Sequence, residues 1–171
     1  MPFGAFAQME VQTMNQDSNT YTIPVYKLQL VQEGTAQTTA ITGPADLAFH
    51  LKEIATADRE HMVVIFLDTK NRPIGRQVVS IGTLNATLVD ARGVFRAALL
   101  NGTTSSIVIA HNHPSGSLDP SRDDDDVTHR IARAGNLLGV KLLDHIILAP
   151  DGRHFSYKDQ RPEHLNGGAD L

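Results

Sequence analysis

A chain of 171 residues is long enough for one domain with a proper core and short for two. With 41% hydrophobic residues, 20% charged residues and a net charge of −4 at pH 7, it has an ordinary globular composition and no general electrostatic pull toward nucleic acid. Cysteine is absent, which excludes disulfides, thiolate metal sites and cysteine nucleophiles, so any metal must be held by histidine and carboxylate.

Residues 1–22 mix Gln, Asn, Thr and Met without a sustained period and read as a flexible N-terminal arm that could reach a neighbouring copy in a homodimer. No lysine or arginine precedes Lys27, and no run approaches transmembrane length, so the expectation is a cytoplasmic protein with no membrane segment. The stretch IPVYKLQLVQEG alternates through Val25, Leu28, Leu30 and Val31, which suggests an edge strand. GPADLAFHLKEIATADRE then reads as a helix, with Pro44 at its first position and Leu47, Leu51 and Ile54 at helical spacing.

HMVVIFLD is a short continuous apolar run, as expected of a strand covered on both faces, and IGRQVVSIG is its antiparallel partner across the turn TKNRP. A second helix covers DARGVFRAALLNG, between a candidate cap at Asp90 and a stop at Gly102. SSIVIA is the next buried strand and ends at His111. A third helix starts near Ser121, carries Val127, Ile131, Ala134, Leu137 and Leu138, and stops at Gly139. VKLLDHIILAP is the last strong strand, followed by a short one through Phe155 to Tyr157. The tail, 159–171, is polar and expected to fray. Residues 23–158 thus form a single mixed α/β layer domain.

Chemistry concentrates in IVIAHNHPSGSLDPSRDDDD, residues 107–126. Histidines at i and i+2 of extended backbone point to the same side, so His111 and His113 can share one ion. They stand where a buried strand ends, a common place for binding groups in α/β sheets. A carboxylate in the first turn of the next helix could swing back to them. Two histidines and a carboxylate, with an open fourth position, form a catalytic zinc arrangement that lowers the pKa of bound water to roughly 7. The plainer reading is a surface turn and an acid-capped helix. Asp123 to Asp126 suit the positive end of a helix dipole, and Ser121 with Asp124 fits a capping box.

The spacing decides between these readings through a resemblance. His111, His113, Ser121 and Asp124 follow H-x-H-x7-S-x-x-D, which resembles the JAMM metalloprotease signature. HNHPSG, REHMVVIFLDTKNRPI and LLDHIIL extend the likeness to the RadC-like JAB domains, over roughly residues 40–157. The resemblance implies a JAB/MPN-like, cytidine-deaminase-like fold: a three-layer mixed sheet with flanking helices. It implies zinc held by His111, His113 and Asp124, with Ser121 stabilising the tetrahedral intermediate, a contribution typically of about 3 kcal/mol. It also implies that Glu60 is the general base. Glu53, earlier on the same predicted helix, is the substitute for Glu60. Asp144 and His145 are read as a core polar pair or as partners of a ligand histidine. Ser115 and Gly116 would shape the ligand loop. Asp123, Asp125 and Asp126 are read as solvated acids, and His50, His61, His129, His154 and His164 match no ligand spacing.

The function implied is zinc-dependent hydrolysis of an amide or isopeptide bond in a peptide or protein substrate. Iron or manganese would also suit imidazole and carboxylate. One rival is a DNA-repair or mobile-element accessory role. The acidic balance argues against it, as does the stretch before residue 40, too short for the helix-hairpin-helix region of long RadC proteins. Another rival is an inactive scaffold that binds no zinc. The chain departs from the family at Ala91-Arg92-Gly93, where most RadC sequences carry Pro-Arg-Glu.

Overall fold

The computed structural model describes residues 23–27, 29–35, 42–82 and 89–167. The N-terminal arm read at 1–22 lies outside them. In chain order the elements are α1 (Pro44–His50), α2 (Lys52–Ala55), β1 (His61–Leu67), β2 (Pro73–Ile81), α3 (Ala91–Asn101), β3 (Ser106–Asn112), α4 (Arg122–Leu138), β4 (Lys141–Leu148), β5 (His154–Ser156) and α5 (Tyr157–Gln160). A 3-10 turn at Pro162–Leu165 follows.

The strands form one mixed sheet in the order β2-β1-β3-β4-β5. β1 runs antiparallel to both β2 and β3, β3 and β4 are parallel, and β5 returns antiparallel on β4. Alternation along each strand divides the core in two. Met62, Val64, Phe66, Ile107 and Ile109 face α3 and α4, where they meet Val94, Phe95, Val127 and Ile131. Val63, Ile65, Val108, Ala110 and Ile146 face the other way, onto Leu47, Leu51 and Ala55 of α1 and α2. This is the expected three-layer arrangement, and it explains why β1 and β3 read as continuous apolar runs: both faces are covered.

Three expectations change. The edge strand read at IPVYKLQLVQEG does not form. Residues 23–27 and 29–35 carry no strand, and Val25 is 94% exposed. Alternating side chains make a strand only where a sheet edge accepts them, and neither outer strand pairs with this segment. The helix read over 43–60 breaks at Leu51, whose φ of −103° and ψ of 19° leave the helical region while its side chain stays buried. The polar tail is ordered through residue 167 rather than frayed. Arg161 pairs with Asp125 of α4, as described below, and Leu165 packs on the core. Among the described residues no helix is long and apolar enough to cross a membrane.

The crossover from β3 to its parallel neighbour β4 runs through α4. A parallel connection of this kind has to begin where β3 ends, so the start of α4 returns to the carboxyl end of β3. That is where the histidines stand.

Candidate metal centre

His111 is the penultimate residue of β3 and is fully buried. His113 lies just past the strand, where its backbone N–H still donates to the Leu148 carbonyl at 2.9 Å and continues the ladder. Both side chains therefore keep the strand's alternation and share the α4 face. Beyond Pro114 the chain turns tightly. Gly116 adopts φ +78°, the left-handed conformation glycine tolerates, and donates to the His113 carbonyl at 2.9 Å. The turn returns the Ser117 carbonyl to His113 Nδ1 at 2.8 Å. A carbonyl only accepts, so Nδ1 carries the proton and Nε2 keeps its lone pair.

Asp124 approaches from α4. Ser121 caps this helix: its Oγ accepts from the Asp124 N–H at 3.1 Å, and Asp124 Oδ2 accepts from the Ser121 N–H at 2.8 Å and hydroxyl at 2.6 Å. The capping box and the ligand reading divide the carboxylate between them instead of competing. Oδ2 closes the cap, while Oδ1 lies 3.2 Å from His111 Nε2. His113 Nε2 is 3.7 Å from Oδ2 and 2.9 Å from His111 Nε2. Burial alone would raise the Asp124 carboxyl, but His111 and Ser121 hold it below the ordinary carboxylate range. Burial likewise pushes His111 down despite the neighbouring Asp124. One ligand atom from each of His111, His113 and Asp124 falls within 4.8 Å of the others. A lone pair on His113 Nε2 and a carboxylate meeting this closely beside a second imidazole suit a cation, which is the sense in which these residues fit a metal.

Glu60 immediately precedes β1. It stands two residues before Met62, which pairs with His111 of β3. Its charge is among those that raise His111 toward protonation, and its carbonyl accepts from the Gly82 N–H at 2.9 Å. Glu53 is elsewhere: it sits on α2, on the opposite side of the sheet, in an ion pair with Arg76.

Of the adjacent pair Asp144 and His145, one reaches the centre. His145 Nε2 is 2.8 Å from His111 Nδ1, its Nδ1 is 2.6 Å from Thr128 Oγ1, and burial holds its pKa well below the ordinary value. Asp144 points to the other face, against the reading of it as a partner of a ligand, because successive strand residues alternate. There it accepts from Ser156 Oγ at 2.7 Å and the Lys158 N–H at 2.9 Å. Ser115 is exposed and touches no ligand; its hydroxyl accepts from the Ser117 N–H at 3.3 Å and so shapes the loop only.

Two residues have roles the sequence reading missed. Asn112, between the two histidines, is fully buried on the opposite face. It accepts from the His61 N–H at 2.7 Å and donates to the carbonyls of Arg59 at 3.0 Å and Ala57 at 3.3 Å. The segment carrying Glu60 is thereby tied to the ligand strand. A buried amide in an apolar strand must find such partners, which was the available signal. Asp125, read as a solvated acid, is half-buried. It accepts from the Tyr157 hydroxyl at 2.8 Å and from Arg161 Nη1 at 2.9 Å to each oxygen. Tyr157 in turn stacks on His145, with ring centroids 5.0 Å apart. Beside the ligand loop, Leu118, Pro120, Phe155, Gln160 and Arg161 line a cleft of about 320 Å³.

The model of the RadC-like JAB domain matches residues 41–162. A UPF0758 protein of Rubrobacter xylanophilus is 46% identical over 120 residues, covering 70% of this chain and 52% of the relative. Similar proteins of the same name occur in Caldanaerobacter subterraneus, at 43% over 122 residues, and in Methanosarcina acetivorans, at 44% over 121. Coverage is 71% of this chain and 52% of the relative in the first case, and 70% and 52% in the second. The chain thus spans about half the length of these relatives.

Proposed function

Because the chain belongs to the RadC-like JAB family, we propose that it is a zinc-dependent hydrolase of the JAMM type, acting on an amide or isopeptide bond of a peptide or protein substrate. The carrying observation is the convergence of His111 Nε2, His113 Nε2 and the Asp124 carboxylate, with Glu60 near enough for its charge to act on His111. A bound zinc ion would supply Lewis acidity toward water and toward the scissile carbonyl oxygen.

The protein's own groups do the rest. His111, His113 and Asp124 hold the ion. Glu60 takes a proton from the attacking water and returns it to the leaving amine. Asn112 keeps the Glu60 segment in register with the ligands. Ser121 Oγ, which donates to Asp124 Oδ2 in the resting arrangement, turns toward the developing oxyanion. The cleft beside Leu118 and Phe155 accepts a neighbouring substrate side chain.

The test is metal analysis of wild type, His113→Ala and Asp124→Ala, joined to hydrolysis of a quenched fluorogenic peptide library and an isopeptide-linked substrate. Wild type should carry about one zinc per chain and both variants almost none. Glu60→Gln should keep the zinc and lose roughly 10²–10⁴-fold in rate. Equal metal in all three proteins would refute the site, and an active Glu60→Gln would move the base elsewhere.

A further inference from the structure

The outer side of the α3–α4 layer carries an apolar surface that the chain's own core does not use. Arg130 of α4 donates to the Val89 carbonyl, just before α3, at 2.6 Å, and further along Phe95 of α3 lies against α4 at Gly135. The two helices therefore run side by side in the same sense. Between them is a groove of about 410 Å³, lined by Phe95, Leu99, Ala134, Leu137 and Leu138, with Arg92 and Arg96 as its charged members. Leu137 is 78% exposed, Leu99 49% and Leu138 43%. The core side of the same helices is already taken by Val94, Val127 and Ile131, so these leucines form a second, outward stripe. A contiguous apolar surface rimmed by charge marks an interaction site.

Its two ends differ electrically. Arg92 and Arg96 stand in the first half of α3. The last turns of α3 and α4 lie together at the other end, and neither carries a basic residue of its own. Their carbonyl ends thus present the negative poles of two helix dipoles.

We propose that this groove is a dimer interface, on which a second copy of the chain packs face to face with its α3 and α4 antiparallel to those of the first. A two-fold axis requires a surface to be complementary to itself, and this one is. In the antiparallel sense the arginines of each copy lie over the carbonyl ends of the other, and Leu137 of each enters the other's groove. The parallel sense would set the arginines against one another. A separate acidic helix would satisfy the arginines but bring its carboxylates to the carbonyl ends, whereas a second copy answers both. Residues 124 and 134 are about 15 Å apart along α4, so both metal centres stay open in the dimer.

The test is analytical ultracentrifugation of the full chain over a concentration series into the hundreds of micromolar. Wild type is compared with Leu137→Lys, Arg96→Glu and the double variant. Wild type should sediment as a dimer. Leu137→Lys gives α4 the basic last-turn residue it lacks, so each copy should keep its fold by circular dichroism. The new charge meets the other copy's arginines and should weaken dimerisation at least about 10-fold. Arg96→Glu turns a carboxylate toward the carbonyl ends and should weaken it several-fold. In the double variant the introduced lysine and carboxylate face each other across the two-fold, and most of the loss should be recovered. A merely structural defect would add instead. A wild-type monomer throughout, a dimer indifferent to both single substitutions, growth past two copies, or additive losses in the double variant would overturn the proposal. So would a wild-type monomer that binds a fluorescent glutamate-flanked leucine helix and loses it in Leu137→Lys, which would assign the groove to a separate protein. None of these readings involves metal or hydrolysis, so this interface and the zinc-hydrolase reading fail independently.

Discussion

Two helices begin with the same device and use it differently. α3 is capped by Asp90, whose Oδ1 accepts from the Arg92 N–H at 3.0 Å while the carboxylate also holds the Arg92 side chain. That cap is exposed, and its partners are two residues away. α4 is capped by Ser121 and Asp124, but here the carboxylate is buried, with one oxygen toward His111 of β3 and the other toward His113 just past it. Both termini look alike in one dimension: a short polar residue before an apolar-periodic run. What separates them is topology. α4 follows a parallel strand, so its N-terminus is returned to the end of β3, whereas the start of α3 meets no such group of ligands among the described residues. A cap becomes a metal ligand when the crossover delivers it to side chains that share its need for a cation.

The largest expected effect breaks the double use of Asp124. Asp124→Ala removes both oxygens, and should abolish stoichiometric zinc binding and lower the stability of the metal-free protein by roughly 1 kcal/mol through the lost cap. Asp124→Asn separates the two roles. Its amide oxygen can still accept from Ser121, so metal-free stability should stay closer to wild type, while zinc affinity falls at least about 100-fold with the missing charge. Denaturant melts beside chelator competition check both. If Asp124→Asn held zinc like wild type, the carboxylate would be a cap and nothing more.

Acid should distinguish the two termini next. Burial keeps His111 below, and His145 well below, the ordinary histidine value of 6.5. As pH falls through that value the unfolded chain takes up protons that the folded chain refuses, so the metal-free protein loses stability below about pH 6.5. Asp124 acts in a lower window. Its folded pKa is depressed, so its contribution is full above the unfolded value of 3.8 and drains away as pH falls below it. Urea midpoints of chelator-treated protein at pH 8, 7, 6 and 5 should therefore decline toward acid, and His145→Gln should flatten the decline. A level profile from pH 8 to 5 would mean that the histidines are not held neutral by burial.

How much of this was legible depended on the range of the interactions. β1, β3 and β4 announced themselves because burial on both faces forces a continuous apolar run. Asp90, Gly102, Ser121 and Gly139 were readable as helix ends because caps act within a few residues. His111, His113 and Asp124 were placed by spacing, which carries information where strand, turn and helix have fixed geometry. Residues 23–35 misled for the converse reason: alternation says which faces a strand would have, not whether a sheet edge is there to take it. The tail misled because polarity was taken for solvation, whereas Arg161 spends its charge on Asp125, 36 positions away. Asn112 was hidden by its neighbours. Its partners at 57–61 are brought to it by the β1–β3 pairing, which no local pattern reveals.

The smallest effect belongs to the terminus that has no second use. Asp90→Ala removes the α3 cap and the local contact with Arg92, both exposed to solvent. Water and the neighbouring turn can satisfy the freed N–H, so the melting temperature should fall only slightly. Zinc affinity should be unchanged, because α3 contributes no ligand and the Asp90 carboxylate is held by Arg92, with the Arg130 charge of α4 nearby, rather than by any residue of the metal centre. Asp90→Asn should recover most of the small loss, since an amide oxygen caps nearly as well as a carboxylate. The comparison is thereby exposed to its sharpest risk. If Asp90→Ala weakened zinc binding as Asp124→Asn does, the two caps would be coupled through the core shared by α3 and α4, and topology alone would not explain why one of them became a ligand.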